Sequence, residues 1–246
     1  MANFLQNGII QYVSYSTEFG AVVGSLIFTI LCMAIGYLLG SINSAVIISN
    51  VFYGSDIRKS GSGNAGTTNM LRVYGKKAAL FTLLGDILKS LMAVFLAGII
   101  GGFHYEHAYS TSTLCYIAGF FCIMGHIFPV YHRFKGGKGV LCTAAIVAAL
   151  SIKVFALLIL IFILLVAITK YVSLGSCTVA LIYPFVLARF IAMRGGAVNA
   201  VILILTIAEA LIIVWCHRKN IDRLRKGQES KISFKRKDKS ESERQN

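Results

Sequence analysis

Residues 56–72 read Asp56-Ile57-Arg58-Lys59-Ser60-Gly61-Ser62-Gly63-Asn64-Ala65-Gly66-Thr67-Thr68-Asn69-Met70-Leu71-Arg72. Gly61, Gly63 and Gly66 remove Cβ atoms and permit positive φ, so successive backbone N–H groups can turn toward one anion. Ser62, Asn64, Thr67, Thr68 and Asn69 add side-chain donors, and Arg58 and Arg72 flank them with positive charge. The chemistry such a stretch suits is capture of an anion. The three glycines also spell GxGxxG, with Asp86 twenty residues on. That pattern has meaning only inside a strand-turn-helix unit, and here the loop joins two apolar segments. Thr67 follows Gly66 where a P-loop has Lys.

A second polar island, Phe134-Lys135-Gly136-Gly137-Lys138-Gly139-Val140, directly precedes an apolar segment. Gly136, Gly137 and Gly139 would let backbone approach a ligand, Lys135 and Lys138 supply charge, and the helix that follows would present unpaired N–H groups. A third, His217-Arg218-Lys219-Asn220-Ile221-Asp222-Arg223-Leu224, closes the last apolar segment, with His217 and Asn220 three apart on one expected helix face. Other polar residues rank lower. Asp86 and Lys89, at i and i+3 inside a span, are expected to neutralise each other. Glu209 must face protein or water, and His126 is expected to make a packing hydrogen bond. The six cysteines lie in apolar segments without CxxC spacing, so they read as small buried hydrophobes, with no metal or cofactor implied.

These islands need elements to hold them, and composition says which. Of 246 residues, 57% are hydrophobic and 14% charged, with 23 Gly and only 2 Pro. Soluble domains run to roughly 45–50% apolar and about 25% charged, so the expected solvent is a bilayer. Continuous apolar runs disfavour a β-barrel. The fold expected is all-α: a polytopic membrane protein with seven transmembrane helices near residues 21–48, 78–100, 112–131, 139–151, 153–171, 173–192 and 197–216, joined by glycine-rich cytoplasmic loops. Residues 1–20 form an outside extension, 21–220 the membrane unit and 221–246 a basic cytoplasmic tail.

The fourth run is short, and Val140 to Leu150 would suit a re-entrant segment as well as a crossing. Charge parity favours a crossing. Seven crossings with the amino terminus outside put 20 of the 24 Lys and Arg in the cytoplasm, leaving Lys153, Arg189 and Arg194 outside and Lys89 within a span. No removable signal peptide is expected, because the amino terminus has no Lys or Arg before Arg58 and no cleavage pattern. The net charge of +14 follows from the tail and cytoplasmic loops, which suit an anionic leaflet, so no nucleic acid partner is required.

In order and position, these islands resemble the bacterial acyl-phosphate-dependent glycerol-3-phosphate acyltransferase family. Asp56-Ile57-Arg58, Gly61-Ser62-Gly63-Asn64 and Gly66-Thr67-Thr68-Asn69 look like its first motif. His126-Ile127-Phe128-Pro129-Val130 leading into Phe134 to Gly139 is similar to its second. Tyr171-Val172-Ser173-Leu174, then His217 to Ile221 with Arg223-Leu224 and Gly227, complete the series over roughly residues 25 to 227. Thr67 stands where the family usually has Ala, and Asn43 where Pro is common; neither removes a charge.

The resemblance implies transfer of a fatty acyl group from acyl phosphate to the 1-position of sn-glycerol 3-phosphate, giving lysophosphatidic acid and phosphate. It implies Ser62, Arg72, Lys135, His217 and Asn220 as the catalytic set. Gly61, Gly63, Asn64, Gly66, Thr67, Thr68, Asn69, Gly136, Gly137, Lys138 and Gly139 would then bind substrate. An acyl phosphate is already activated, so positioning and cationic stabilisation suffice. The chain accordingly shows no GxSxG elbow and no carboxylate cluster for a metal. The competing reading is a transporter or flippase for an organic phosphate, but transporter sites sit near the midplane on broken helices, whereas here the anion chemistry clusters at one face.

Overall fold

A computed structural model describes residues 18–101, 113–197 and 199–232. All regular structure among them is helical: α1 (Glu18–Ser41), α2 (Ser44–Tyr53), α3 (Thr67–Tyr74), α4 (Lys76–Gly101), α5 (Thr113–Ile127), α6 (Val140–Leu150), α7 (Ile152–Thr169), α8 (Val172–Ala192), α9 (Ala200–Cys216) and α10 (Arg218–Arg225). Backbone polar groups have no water to bond in hydrocarbon, so a chain this apolar satisfies them within helices.

Helix α1 lies directly on α5 because both are stripped of side chains at the seam. A Cβ on Gly36 would stand 2.3 Å from the Ala118 carbonyl oxygen, and one on Gly125 would stand 2.2 Å from that of Tyr37. Small residues let membrane helices approach this closely, where packing replaces the hydrophobic drive. The first span then breaks at Ile42 and Asn43. Asn43 caps α2, its side chain accepting from Val46 N at 3.1 Å, and Ser44 Oγ donates to Asp86 at 3.1 Å.

Below that break is a buried charged hub. Lys89 Nζ stands 2.9 Å from Asp86 Oδ1, and it donates to the Gly40 and Ile42 carbonyls at 3.1 and 2.8 Å. It also lies 3.0 Å from His126 Nδ1. The expected Asp86–Lys89 neutralisation is present, and the same ammonium terminates α1 by satisfying carbonyls that a helix end leaves unpaired. His126 has the packing role expected of it. Cys142 joins Asp86 and His126 within 4.8 Å, but the cation among them is Lys89.

The chain is a multi-pass membrane protein, yet seven full crossings are not confirmed by helix length. Among the described residues five helical segments are long and apolar enough, six if α9 and α10, bent by 55° at His217, count as one. The exception is α6. Its 11 residues rise about 16 Å, half of the roughly 30 Å of hydrocarbon. Helices α6 and α7 nevertheless make a hairpin whose open ends share one face, since Lys138 before α6 bonds Asn220, Asn220 bonds Glu229, and Ile232 beyond it bonds the Lys170 carbonyl after α7.

Residues 1–17 and 233–246 of the expected extension and tail lie outside the described residues. The boundary expected at 220/221 falls inside α10, and the chain beyond it folds back, with Ile232 N donating to the Lys170 carbonyl at 2.9 Å.

Candidate active site

The glycine loop after α2 is built around Asn69, in the first turn of α3 and 1% exposed. Asn69 Nδ2 donates to the carbonyls of Ser60 and Asn64 at 3.0 Å each and of Ile57 at 3.3 Å, and Oδ1 accepts from Ser62 N at 2.9 Å. One amide thus sets the whole turn. Gly61 has φ +60°, and a Cβ there would stand 2.3 Å from Asn69 Oδ1, so glycine is required on both counts. Upstream, Asp56 caps the turn Ile57–Lys59 and holds the Arg58 guanidinium at 2.6 Å. That hydrogen bond keeps the Asp56 carboxyl below its ordinary range.

Arg58 joins the first island to the second. Its Nη1 donates to the carbonyls of His132 and Lys135 at 2.8 and 3.0 Å. In the second island, Gly136 N donates to Ile127 O at 3.1 Å and Gly137 N to His126 O at 3.0 Å. A Cβ on Gly137 would stand 2.1 Å from His126 Nε2 and 2.9 Å from the Ala65 carbonyl oxygen. The close approach expected toward a ligand is, at Gly136 and Gly137, an approach to protein: they dock the loop on α5 and on the first island. Gly139, at φ +85°, starts α6. Lys135 is left exposed at the rim, and Lys138 is carried inward.

The second island meets the third through Lys138, whose Nζ donates to Asn220 Oδ1 at 2.5 Å. Asn220 Nδ2 donates to Glu229 Oε1 at 2.6 Å, Ser173 Oγ donates to the same oxygen at 2.8 Å, and Arg223 Nε donates to Glu229 Oε2 at 2.7 Å. Burial lowers the Lys138 pKa, and Arg223 adds to the lowering while Glu229 opposes it. His217, 3% exposed, stands 2.8 Å from the Ile213 carbonyl through Nδ1. A carbonyl can only accept, so Nδ1 carries the proton and Nε2 keeps its lone pair. Burial, then Lys138, bring the His217 pKa down to about 4.

Three loops and the last helix therefore converge on one face. Lys138, His217 and Asn220 come together; Ser62, Arg72 and Thr68 present exposed side chains on the neighbouring glycine loop and α3, with Asn64 and Thr67 half-buried. Asn69, expected among the substrate donors, has its amide engaged with the loop backbone. Glu229 and the bonds of Ser173 were not anticipated. Glu229 is one of five acidic residues after His217, with Asp222, Asp238, Glu241 and Glu243, and nothing along the chain singles it out or names its partners.

The family model described as glycerol-3-phosphate acyltransferase matches residues 30–227. A glycerol-3-phosphate acyltransferase from Syntrophomonas wolfei is 43% identical over 199 residues, 81% of this chain and 94% of that protein. One from Coxiella burnetii is 37% identical over 205 residues, 83% of this chain and 98% of its own. Two crystal structures of PlsY (YgiH), an integral membrane glycerol 3-phosphate acyltransferase, superpose with TM-scores of 0.68. The glycerol 3-phosphate form is 31% identical and covers 83% of this chain and 96% of its own; the lysophosphatidic acid form is 29% identical and covers 83% and 95%. With matches of this length and identity, the chain belongs to the glycerol-3-phosphate acyltransferase family.

Proposed function

We propose that the protein transfers a fatty acyl group from acyl phosphate to the 1-hydroxyl of sn-glycerol 3-phosphate, releasing lysophosphatidic acid and inorganic phosphate. The observation that carries this reading is the Lys138–Asn220 bond, which sets a half-buried cation beside His217 at the mouth of a glycine-rich turn. Both substrates bear phosphate, and cations with directed N–H groups are what charge-assisted binding needs. Arg72 and Lys135 receive the phosphates at the rim, Ser62 and Asn220 orient the reacting groups, and the other glycine-loop donors line the approach. The acyl chain lies among the spans.

In the reaction the glycerol hydroxyl oxygen forms a bond to the acyl carbon, and the bond from that carbon to the phosphate oxygen breaks. Cations stabilise charge on the carbonyl oxygen and the departing phosphate. The neutral Nε2 of His217 accepts a hydrogen bond from the attacking hydroxyl and aligns it. With a pKa of about 4, the imidazole is a weaker base than a phosphate dianion, whose second pKa is about 6, so the hydroxyl proton ends on phosphate.

The charge distribution supports a cytoplasmic site with the amino terminus outside. The clustered loops carry Arg58, Lys59, Arg72, Arg133, Lys135, Lys138 and Lys170, and the opposite ends only Lys153, Arg189 and Arg194. The reading is tested by phosphate release from acyl phosphate and glycerol 3-phosphate in detergent micelles, where transport has no compartment to act on. Lys135→Met and Lys138→Met are each expected to lower kcat/KM by about 10²- to 10³-fold. Near-normal release by either variant removes that lysine from the mechanism, and no release by the wild type removes the activity.

A further inference from the structure

Beyond the region the family model matches, the chain supplies one more side chain to this corner. After α10, Gly227 takes φ +67°, Gln228 N donates to Arg223 O at 2.8 Å and Ile232 N to Lys170 O at 2.9 Å, so residues 227–232 run as a strap from α10 to the start of α8. The strap places the Glu229 side chain, only 8% exposed, among Ser173, Asn220 and Arg223. A surface ion pair would mean little. This carboxylate is shielded, with both oxygens accepting bonds from three separate side chains.

We infer that Glu229 is a positioning residue for acyl transfer: by accepting Asn220 Nδ2, Ser173 Oγ and Arg223 Nε, it turns the Asn220 amide so that its oxygen faces Lys138. The ammonium can only donate and so already draws the amide oxygen; Glu229, accepting on the nitrogen side, fixes where that amide sits, and without it the Asn220 side chain is free to swing away. Lys138 would then lose the partner that holds it over the site. The inference rests on the proposed activity for its catalytic consequence, though not for its geometry.

A second consequence concerns charge. The groups that act on Lys138 are Glu229, which favours its protonated form, Arg223, which opposes it, and the Cys177 and Cys216 thiols; His217 stands beside it. Burial already lowers its pKa. Taking the negative charge from position 229 lowers it further, so the ammonium deprotonates at lower pH and the alkaline limb of activity moves down. The opposite role has the opposite signature: a resident carboxylate that competes with substrate phosphate for the same donors gives tighter binding when it is removed.

The experiment compares wild type, Glu229→Gln and Glu229→Asp as full-length proteins in detergent micelles. It measures glycerol 3-phosphate binding by calorimetry without acyl donor, and KM, kcat and the pH profile of phosphate release with it. The expected result for Glu229→Gln is weaker binding and a higher KM for glycerol 3-phosphate by about tenfold, the cost of one misdirected charged hydrogen bond, with the alkaline limb displaced to lower pH. Glu229→Asp recovers part of both. Lys226→Met, which removes only the exposed pair with Asp222, leaves all four readouts unchanged.

A lower thermal midpoint for Glu229→Gln with binding, KM and pH limb unmoved means that the strap is merely structural and overturns the inference. Tighter binding overturns it in favour of a competing anion. Wild-type protein that binds glycerol 3-phosphate yet releases no phosphate from acyl phosphate overturns the proposed donor instead, and the calorimetric arm still decides Glu229.

Discussion

The side-chain oxygen of Asn69 accepts the backbone N–H of Ser62 at 2.9 Å, while its nitrogen donates to carbonyls on both sides of the glycine turn. The backbone at Ser62, the residue proposed to orient the reacting groups, is thus held by an amide wholly engaged with the loop. An aspartate at position 69 could still accept from Ser62, but it would face the Ser60 and Asn64 carbonyls with negative charge. Asn69→Asp is therefore expected to be at least as harmful as Asn69→Ala, each losing about 2 kcal/mol or more of stability and most of the activity. Thermal midpoints and phosphate release in detergent check this; an active, stable Asn69→Asp protein would show that the nitrogen bonds do not hold the turn.

Gly137 and Gly54 make a controlled pair. A methyl on Gly137 meets the buried His126 ring and the Ala65 carbonyl, and the second of these is backbone that cannot swing away. Gly54 sits at φ +62° with open space around it. Gly137→Ala should cost about 1–3 kcal/mol from overpacking and abolish acyl transfer by lifting the Lys138 loop. Gly54→Ala should cost about 1–2 kcal/mol from left-handed backbone alone with activity retained. Comparable turnover in the two variants would mean that the contact between the loops is dispensable.

His217 should remain neutral through the physiological range. Its pKa is about 4 against 6.5 for an ordinary imidazole. The native state therefore binds fewer protons than the unfolded one between those values, and the stability His217 contributes is complete above about pH 6.5 and lost as pH falls through 4. Imidazole ¹⁵N spectra of the micelle-bound enzyme, assigned with His217→Gln, should show the Nδ1–H tautomer at pH 6. A ring protonated at pH 6 would keep the Ile213 bond but leave Nε2 no lone pair, against the role given to it, and an Nε2–H tautomer would contradict the Ile213 bond itself.

Much of this molecule can be read along the chain, because apolarity and charge are local properties that add up over a window. The helices at 76–101, 113–127, 140–150, 152–169, 172–192 and 200–216 lie within a few residues of where hydropathy puts them, and the three polar islands are the two loops and the last helix that meet. Residue type was less informative about what each glycine does. Gly61 bends the turn as its conformational freedom suggests, but Gly136 and Gly137 are small because His126 and Ala65 are adjacent, and adjacency is not written in a hexapeptide.

What had to await the packed helices is partnership. Lys135 and Lys138 are equivalent in a motif, yet α6 begins at one end of the loop and carries only Lys138 to Asn220. Asp86 and Lys89 could be paired from their spacing, but not tied to Gly40, Ile42 and His126. Glu229 looked like part of a solvated tail until a strap set it beside Ser173, 56 residues away. A hydrogen bond or a buried charge depends on which remote backbone arrives within about 3 Å, and that is decided only when whole helices settle against one another.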